Sequence, residues 1–341
     1  MHTITINPAG VELQCGGEAT ILDAAMTAGF FPRHSCRRGE CRACEVRVVQ
    51  GEVRYPDNVD LDSIRAGHCL TCVARPSGDL VIEAPEVTAT PGRPVIAAAA
   101  RVTSVSRVSR DVSLVRLQIP ITQPFMFEPG QYLDVILKDG TRRSYSMANS
   151  PNAGGQVELH VRALPGGRFS QHVYNNLKPR DLLRIEGPFG TFKLSTSTTP
   201  VILLASGTGF APILSIIRSH GSLLQSRGAA LYWGGLRPED LYGLAGALDW
   251  VGQSASFSFI PVISNPGDDW QGRKGFVHAA VQEDFPDMSG LEVYACGNPL
   301  MVDAARTAFT DENRLPPQSF FSDAFVTTIP TPQQSQTAEA T

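Results

Sequence analysis

The cysteines of this 341-residue chain are gathered at one end, with six of the seven in the first 72 positions. Cys36, Cys41 and Cys44 follow a C-x4-C-x2-C spacing, and Cys72 lies farther along. An even number of cysteines in a short secreted chain would indicate a disulfide framework, but this chain is long and the number is odd. The spacing therefore predicts an N-terminal fold that presents a loop wrapped around a metal centre.

Two metal centres fit these cysteines. The spacing of Cys36, Cys41 and Cys44, with Cys72 as a fourth ligand, is that of a plant-type [2Fe–2S] cluster. Alternatively, two C-x2-C pairs, Cys41 with Cys44 and Cys69 with Cys72, could hold a structural zinc in a binding module. The zinc alternative leaves Cys36 without a role and needs an unusually long gap between the pairs, so the sequence favours the cluster.

The apolar pattern divides the chain into three units. Residues 1–88 mix short strands with one helix, which predicts an α+β domain. Residues 98–195 alternate apolar and polar positions between turn signals, as in an antiparallel β-barrel. Residues 196–327 contain continuous apolar runs separated by helical stretches, which indicates an α/β domain with a parallel sheet. We expect a linker at 89–97 and a disordered polar tail at 328–341.

The composition excludes several classes of protein. Hydrophobic residues make up 42% of the chain and charged residues 18%, which is typical of a globular protein. No apolar run is long enough to span a bilayer, so we expect no membrane insertion. A formal net charge of −4 argues against nucleic acid as the partner. The first residues do not resemble a secretory leader, and we expect a cytoplasmic protein.

The barrel unit contains two candidate phosphate and ring contacts. An arginine can bind a phosphate with two donors, a tyrosine can stack on a flavin ring, and serines can bond the ring edge. These residue types stand together at Arg143, Ser144, Tyr145 and Ser146, although such a strand also occurs on ordinary barrel surfaces. Farther along, the stretch from His160 to Ser170 contains a glycine turn that opens a helix, and backbone N–H groups at such a turn suit a diphosphate.

The third unit has a glycine turn after its first buried strand. Gly207, Thr208 and Gly209 follow the apolar run 201–205 and precede a helical stretch predicted from Ala211 to Ser219. Backbone N–H groups at such a turn can receive a pyrophosphate. A glycine turn alone is weak evidence, because the full dinucleotide fingerprint is absent from the sequence.

Taken in order, these motifs resemble the ferredoxin–NADP reductase family. Residues 1–88 resemble a plant-type ferredoxin with a β-grasp-like fold, and the whole chain resembles the electron-transfer reductases of bacterial multicomponent oxygenases. The sequence stretches around Arg143 and around Asp323 most resemble a related branch of these reductases that is often called CDP-6-deoxy-glucoseen reductase. The resemblance covers about residues 1–327.

The resemblance implies roles for particular residues. It places the cluster on the four cysteines named above, with Cys72 as the fourth ligand, and implies FAD as the flavin. It implies FAD contacts at Arg143, Ser144, Tyr145, Ser146, His160, Val161, Gly167 and Ser170. It implies nicotinamide-dinucleotide contacts at Gly207, Thr208, Gly209, Arg237, Gly297 and Pro299. Cys296 would lie beside the nicotinamide, Asp323 near the hydride path, and Phe325 over the flavin.

One departure from the family pattern bears on the choice of dinucleotide. The usual arginine position holds Leu236, and Arg237 follows one residue later. A 2′-phosphate needs cationic partners, whereas Glu239 and Asp240 would repel it. The sequence therefore favours NADH over NADPH.

Five arginines surround the cluster motif: Arg33, Arg37, Arg38, Arg42 and Arg47. Cations near a cluster stabilise its reduced form and raise its potential, and they could also attract an acidic acceptor protein. A solvated basic face is the alternative explanation.

The implied route runs from NADH to FAD, to the [2Fe–2S] cluster and then to an external protein. The first hypothesis for the acceptor is the terminal component of an oxygenase that acts on aromatic compounds. The second is a sugar dehydrase that forms deoxysugars. A third hypothesis concerns the protein itself, which would be a zinc-bearing binding module fused to a degenerate flavoprotein. The oligomeric state stays open, and a monomer is compatible with the sequence.

Overall fold

A computed structural model gives the fold of the protein. It describes residues 1–34, 36–39, 42–57, 59–85, 87–89, 95–152, 154–243 and 257–325. The predicted ligand Cys41, the predicted tail 328–341 and residues 90–94 of the predicted linker lie outside the described residues. No described helix is both long and apolar enough to cross a membrane.

The N-terminal unit is built on a five-stranded sheet with a short helix packed against it. Residue types explain both: the apolar positions of Val11–Cys15 alternate with exposed ones, and Thr20 caps the helix by accepting a hydrogen bond from the backbone N–H of Asp23. The elements are β1 (His2–Asn7), β2 (Val11–Cys15), α1 (Ile21–Thr27), β3 (Phe30–Pro32), β4 (Glu45–Gln50), β5 (Val53–Arg54), β6 (His68–Leu70), β7 (Arg75–Pro76), β8 (Leu80–Glu83) and β9 (Val87–Ala89). The sheet order is β2-β1-β8-β4-β6, with β1 parallel to β8 and antiparallel to β2.

The middle unit is a six-stranded antiparallel sheet whose inner face forms one apolar core. Its elements are β10 (Ile96–Arg107), β11 (Val112–Gln118), β12 (Tyr132–Ile136), β13 (Arg142–Ser146), β14 (Gln156–Arg162), α2 (Arg168–Asn175) and β15 (Leu182–Phe189). The order is β13-β12-β15-β10-β11-β14. Strands occupy both ends of the predicted linker 89–97, because Ala89 ends β9 and Ile96 begins β10.

The third unit is a six-stranded parallel sheet with helices on its faces. Its elements are β16 (Val201–Ser206), α3 (Phe210–Arg227), β17 (Ala229–Gly235), β18 (Phe257–Ile263), β19 (Arg273–Lys274), α4 (Val277–Asp284), β20 (Glu292–Gly297), α5 (Pro299–Thr307) and β21 (Phe320–Ala324), in the order β19-β18-β17-β16-β20-β21. The first five residues of β16 are buried, as the apolar run predicts for a strand covered on both faces. Helix α3 runs beyond the predicted end at Ser219, to Arg227, with non-helical backbone at His220.

Candidate functional site

The loop between β3 and β4 brings the described cysteines of the metal motif together with Cys72. The Sγ atoms of Cys44 and Cys72 lie 3.2 Å apart, and the backbone N–H of Arg38 points at the Cys36 sulfur over 3.4 Å. Gly39 has φ +81°, and a Cβ there would lie 3.1 Å from the Val73 side chain. Gathered sulfurs, a backbone donor and a glycine where the loop is tight fit a cluster held by thiolates.

Cys69 and Cys72 occupy different surroundings. Cys69 lies on β6 opposite Val46, packs in the apolar core of the N-terminal sheet and is fully buried. Burial raises the pKa of its thiol to about 12. Cys72 instead packs in a small cluster with Cys44 and Leu70. The geometry supports Cys72 as the fourth ligand and a packing role for Cys69.

The arginines near the loop do not form one solvated face. The Arg37 side chain is 21% exposed and contacts Asp23 and Asp134 at 3.2 and 3.4 Å. Arg42 pairs with Glu45 at 2.8 Å, and its side chain is 41% exposed. The basic-face interpretation is therefore wrong for Arg37, which packs over Phe189 and pairs with Asp134 of the middle unit.

A cleft of about 1070 Å³ is lined by residues of all three units. Cys36 and Arg38 of the cluster loop contribute to its wall. Most predicted site residues also line it: Arg143, Ser144, Tyr145, Ser146, His160, Gly167, Ser170, Gly207, Thr208, Gly297, Pro299, Asp323 and Phe325. Val161, Gly209, Arg237 and Cys296 lie outside the described lining.

The barrel side of the cleft carries the predicted flavin contacts. The Tyr145 ring packs against Phe169 with centroids 5.3 Å apart, and Ser144 Oγ donates to Asp134 over 2.7 Å. Helix α2 begins after Gly167, and no side chain caps its first N–H groups. Ser170 shapes that turn, because its hydroxyl donates to the Gly167 carbonyl over 3.1 Å. An uncapped helix start on a cleft suits the diphosphate of FAD.

His160 belongs to a buried network that joins the barrel to the third unit. Its Nδ1 lies 3.0 Å from the Tyr242 hydroxyl, and its Nε2 lies 3.4 Å from Glu158. Burial lowers the pKa of His160, so the ring is neutral, with Nε2–H donating to Glu158 and Nδ1 accepting from Tyr242. Hydrogen bonds from His160 first, and from Arg218, hold the pKa of Glu158 well below its usual range.

The dinucleotide side places the glycine turn at the start of α3. Gly207 and Thr208 line the cleft, and no side chain caps the helix. Gly209 packs against β20 instead, since a Cβ there would lie 2.2 Å from the Cys296 carbonyl oxygen. The glycine at 209 is therefore required by close packing of backbone.

The predicted catalytic residues meet where β20 and β21 run side by side. Cys296 pairs in register with Asp323 and is fully buried. Burial first, and then the Asp323 charge, raise the pKa of its thiol. Asp323 lies 3.5 Å from the Ser146 hydroxyl. Ser146 ends β13 (Arg142–Ser146), which carries predicted flavin contacts and is called the flavin strand below. Phe325 is held beside the cleft by a bond from its N–H to the Gly297 carbonyl, 2.7 Å away.

Sequence reasoning missed Arg162, which lines the same cleft. Its Nε lies 3.4 Å from Asp111 and its Nη2 3.9 Å from Asp240. Within the described part of the chain, neither buried nitrogen makes a hydrogen bond. A guanidinium beside Gly207 with spare donors is suited to an anion in the cleft. A single arginine at the end of a strand does not by itself indicate in the sequence that it binds an anion.

The end of β17 bears on the choice of dinucleotide. The Asp240 carboxylate accepts hydrogen bonds from the N–H groups of Leu236 and Arg237, both over 3.0 Å. Leu236 itself is 55% exposed. A carboxylate and an apolar side chain at this turn favour NADH, because a 2′-phosphate would meet negative charge.

The class of protein defined by this fold and cleft is an iron–sulfur flavoprotein oxidoreductase. Three family models match in order: a 2Fe-2S iron-sulfur cluster binding domain at residues 4–77, an oxidoreductase FAD-binding domain at 99–194 and an oxidoreductase NAD-binding domain at 203–307. The cofactors are accordingly a [2Fe–2S] cluster, FAD and NADH. The match to the cluster-binding model sets the zinc alternative aside.

Similar proteins share this arrangement over nearly their whole length. The CDP-6-deoxy-L-threo-D-glycero-4-hexulose-3-dehydrase reductase of Yersinia pseudotuberculosis is 36% identical over 95% of this chain and 98% of its own. Reductase component 1 of the Comamonas terephthalate 1,2-dioxygenase is 35% identical over 96% and 98%. The crystal structure of the Amycolatopsis cytochrome P450 reductase GcoB superposes with a TM-score of 0.82, at 30% identity over 95% and 99%. The chain belongs to the ferredoxin reductase family that contains these reductases.

Proposed function

We propose that this protein passes electrons from NADH to the terminal component of a multicomponent oxygenase acting on an aromatic compound. The observation that most supports this proposal is the shared cleft. Its wall includes Cys36 of the cluster loop, Tyr145 of the flavin strand and Gly207 of the glycine turn before α3. A single cleft brings donor, flavin and cluster sites within reach of each other without a mobile carrier. We also propose a cytoplasmic location, because the six described cysteines form no disulfide bond with one another.

The cofactors supply the redox chemistry: bound FAD can take up a hydride equivalent and release electrons singly, and the cluster carries one at a time. The chain binds and orients them. Tyr145 and the start of α2 would hold the flavin, and Gly207 with the start of α3 would hold the dinucleotide. Asp323 and Ser146 would place a carboxylate and a hydroxyl at the reacting face, where they can hold a proton.

An anaerobic NADH titration of the purified protein tests the route. We expect the flavin and cluster bands to bleach together, and cytochrome c then to be reduced as a one-electron acceptor. Absence of cluster absorption, or flavin bands that ignore NADH, would contradict the proposal.

The likeness to the Yersinia reductase supports a second acceptor, a deoxysugar-forming dehydrase. Reconstitution distinguishes the two. The reduced protein is offered either the oxygenase component of terephthalate dioxygenase or the CDP-hexulose dehydrase, and electron delivery is measured by NADH consumption with product formation. Selective coupling to the dehydrase would replace the oxygenase proposal with the second one.

A further inference from the structure

The residues just before the cluster ligand Cys36 are docked on the barrel through His34. The backbone N–H of Gly190 donates to His34 Nε2 over 3.1 Å. The backbone N–H of His34 donates to Thr191 Oγ1 over 3.2 Å, and that hydroxyl donates back to the His34 carbonyl over 3.3 Å. His34 is 2% exposed. Three hydrogen bonds thus tie one residue of the loop to the chain segment that follows β15.

The direction of these bonds fixes the state of the His34 ring. Because Nε2 accepts from Gly190, the ring proton is on Nδ1, which donates to the Pro32 carbonyl 2.8 Å away. Loss of this acceptor would leave the Gly190 N–H buried without a partner, which is more costly than loss of an exposed bond. The side chain therefore does more than fill space between the two units.

Two arginines hold the loop on either side of His34. The Arg37 guanidinium lies over the Phe189 ring at 4.1 Å and pairs with Asp134 of β12. Arg33 Nη2 donates to the Phe320 carbonyl of β21 over 3.0 Å. Arg33, His34 and Arg37, which together with Cys36 we call the docked stretch, thus contact both of the other units.

The same loop therefore carries a cluster ligand and forms the docking contact. Cys36 lines the cleft together with Tyr145 and Ser146, so movement of the docked stretch moves the cluster site relative to the flavin strand. We propose that His34 is a positioning residue that fixes the cluster site against the flavin site and so sets the rate of electron transfer between them. This inference rests on the electron route proposed above and adds to it the residue that maintains its geometry.

The test compares His34→Leu with His34→Gln in the loaded protein. Leucine removes the acceptor, whereas the glutamine amide oxygen can accept from Gly190. After anaerobic mixing with NADH, the flavin and cluster bands are followed separately. We expect His34→Leu to slow cluster bleaching relative to flavin bleaching by about fivefold or more. The reason is that loss of a buried acceptor lowers the fraction of molecules in which the cluster loop is docked on the barrel. We expect His34→Gln to keep the ratio of the unaltered protein.

Hydrogen exchange supplies a readout that does not depend on turnover. The Gly190 amide should exchange faster in His34→Leu and at its original rate in His34→Gln, because its acceptor is lost only in the first. Glu18→Ala is the matched control, since Glu18 pairs with Arg54 and Arg75 on the exposed part of the same unit and should change neither readout.

A second pair of variants avoids residues near the cluster ligand. Thr191→Val removes the hydroxyl that accepts from the His34 N–H and donates to the His34 carbonyl, and Thr191→Ser keeps it. If His34→Leu fails to assemble the cluster, slower cluster bleaching in Thr191→Val but not in Thr191→Ser supports the inference. An unchanged ratio in Thr191→Val, an unchanged ratio in His34→Leu, or equal slowing in His34→Leu and His34→Gln overturns it. Failure of NADH to bleach the unaltered protein refutes the electron route itself, so the two failures are distinguishable.

Discussion

Replacement of Gly209 by alanine should impair the reaction with NADH through the backbone of a neighbouring strand. The new Cβ would lie 2.5 Å from the Cys296 carbonyl carbon and 2.6 Å from Gly297 Cα. Non-bonded carbons are comfortable at about 3.5 Å, so the two segments must separate by about 1 Å. Both contacts are with backbone, which has no rotamer to change. The carboxyl end of β20, with Cys296 on it, has to move.

The magnitude follows from that displacement. Overpacking of a tight core typically costs about 1–3 kcal/mol, so the third unit should unfold at a lower temperature. A misplacement of about 1 Å near reacting groups can cost about 100-fold in rate. We therefore expect Gly209→Ala to slow the bleaching of the flavin band by NADH by between about tenfold and 100-fold, while the flavin spectrum before mixing stays unchanged.

Stopped-flow absorbance and thermal unfolding are the assays, and Gly290→Ala is the control. Gly290 lies in the same unit, and a Cβ there meets nothing within 4 Å. The control should react and unfold like the unaltered protein. If Gly209→Ala also reduces its flavin at the unaltered rate and melts at the same temperature, the packing argument for this glycine is wrong.

Three further outcomes are expected. The lowered pKa of Glu158 means that its charge stabilises the fold above its ordinary pKa of 4.5, and that this contribution is lost as the pH falls below it. Glu158→Gln should thus cost about 2 kcal/mol at neutral pH, and thermal melts of variant and parent should converge in acid; a constant difference would contradict the assignment. Cys72→Ser should abolish cluster absorption and lower bound iron, whereas Cys69→Ser should keep both; the reverse result would make Cys69 the ligand. Leu236→Arg should raise kcat/KM for NADPH by about tenfold, as one charge-assisted bond to a phosphate allows, and steady-state assays with both dinucleotides check it.

Local chemistry made much of the fold and site predictable. A metal loop needs particular residue types within a few positions, so Cys36 could be selected from its spacing alone. Tyr145 and Gly207 have weaker local signals, and the resemblance to the reductase family was needed to select them. Strands were predictable for the same reason, because alternation and continuous burial are local patterns. Helix α3 was predicted too short, because the sequence pattern supported a helix only as far as Ser219, whereas the helix continues past the non-helical backbone at His220 to Arg227.

Contacts between distant segments were not predictable. The Asp134 carboxylate pairs with Arg37 of the cluster loop and accepts a hydrogen bond from Ser144 of the flavin strand. Nothing near Asp134 in the sequence indicates either partner. Arg37 looked like part of a basic surface because its neighbours are arginines, whereas the fold turns it toward a carboxylate 97 positions away. His34 and Arg162 were missed on the same grounds: their roles depend on which units come together.

The docking of the cluster loop has a consequence for building chimaeric reductases. An N-terminal cluster module exchanged at the borders between units would bring its own loop but meet a foreign barrel surface. The recipient would have to match Phe189, Gly190 and Thr191, and the carboxylate at Asp134, to the incoming loop. A graft that carries this short strip of barrel with the cluster module should couple its cofactors, and one that ends at the unit border should hold both cofactors yet connect them poorly.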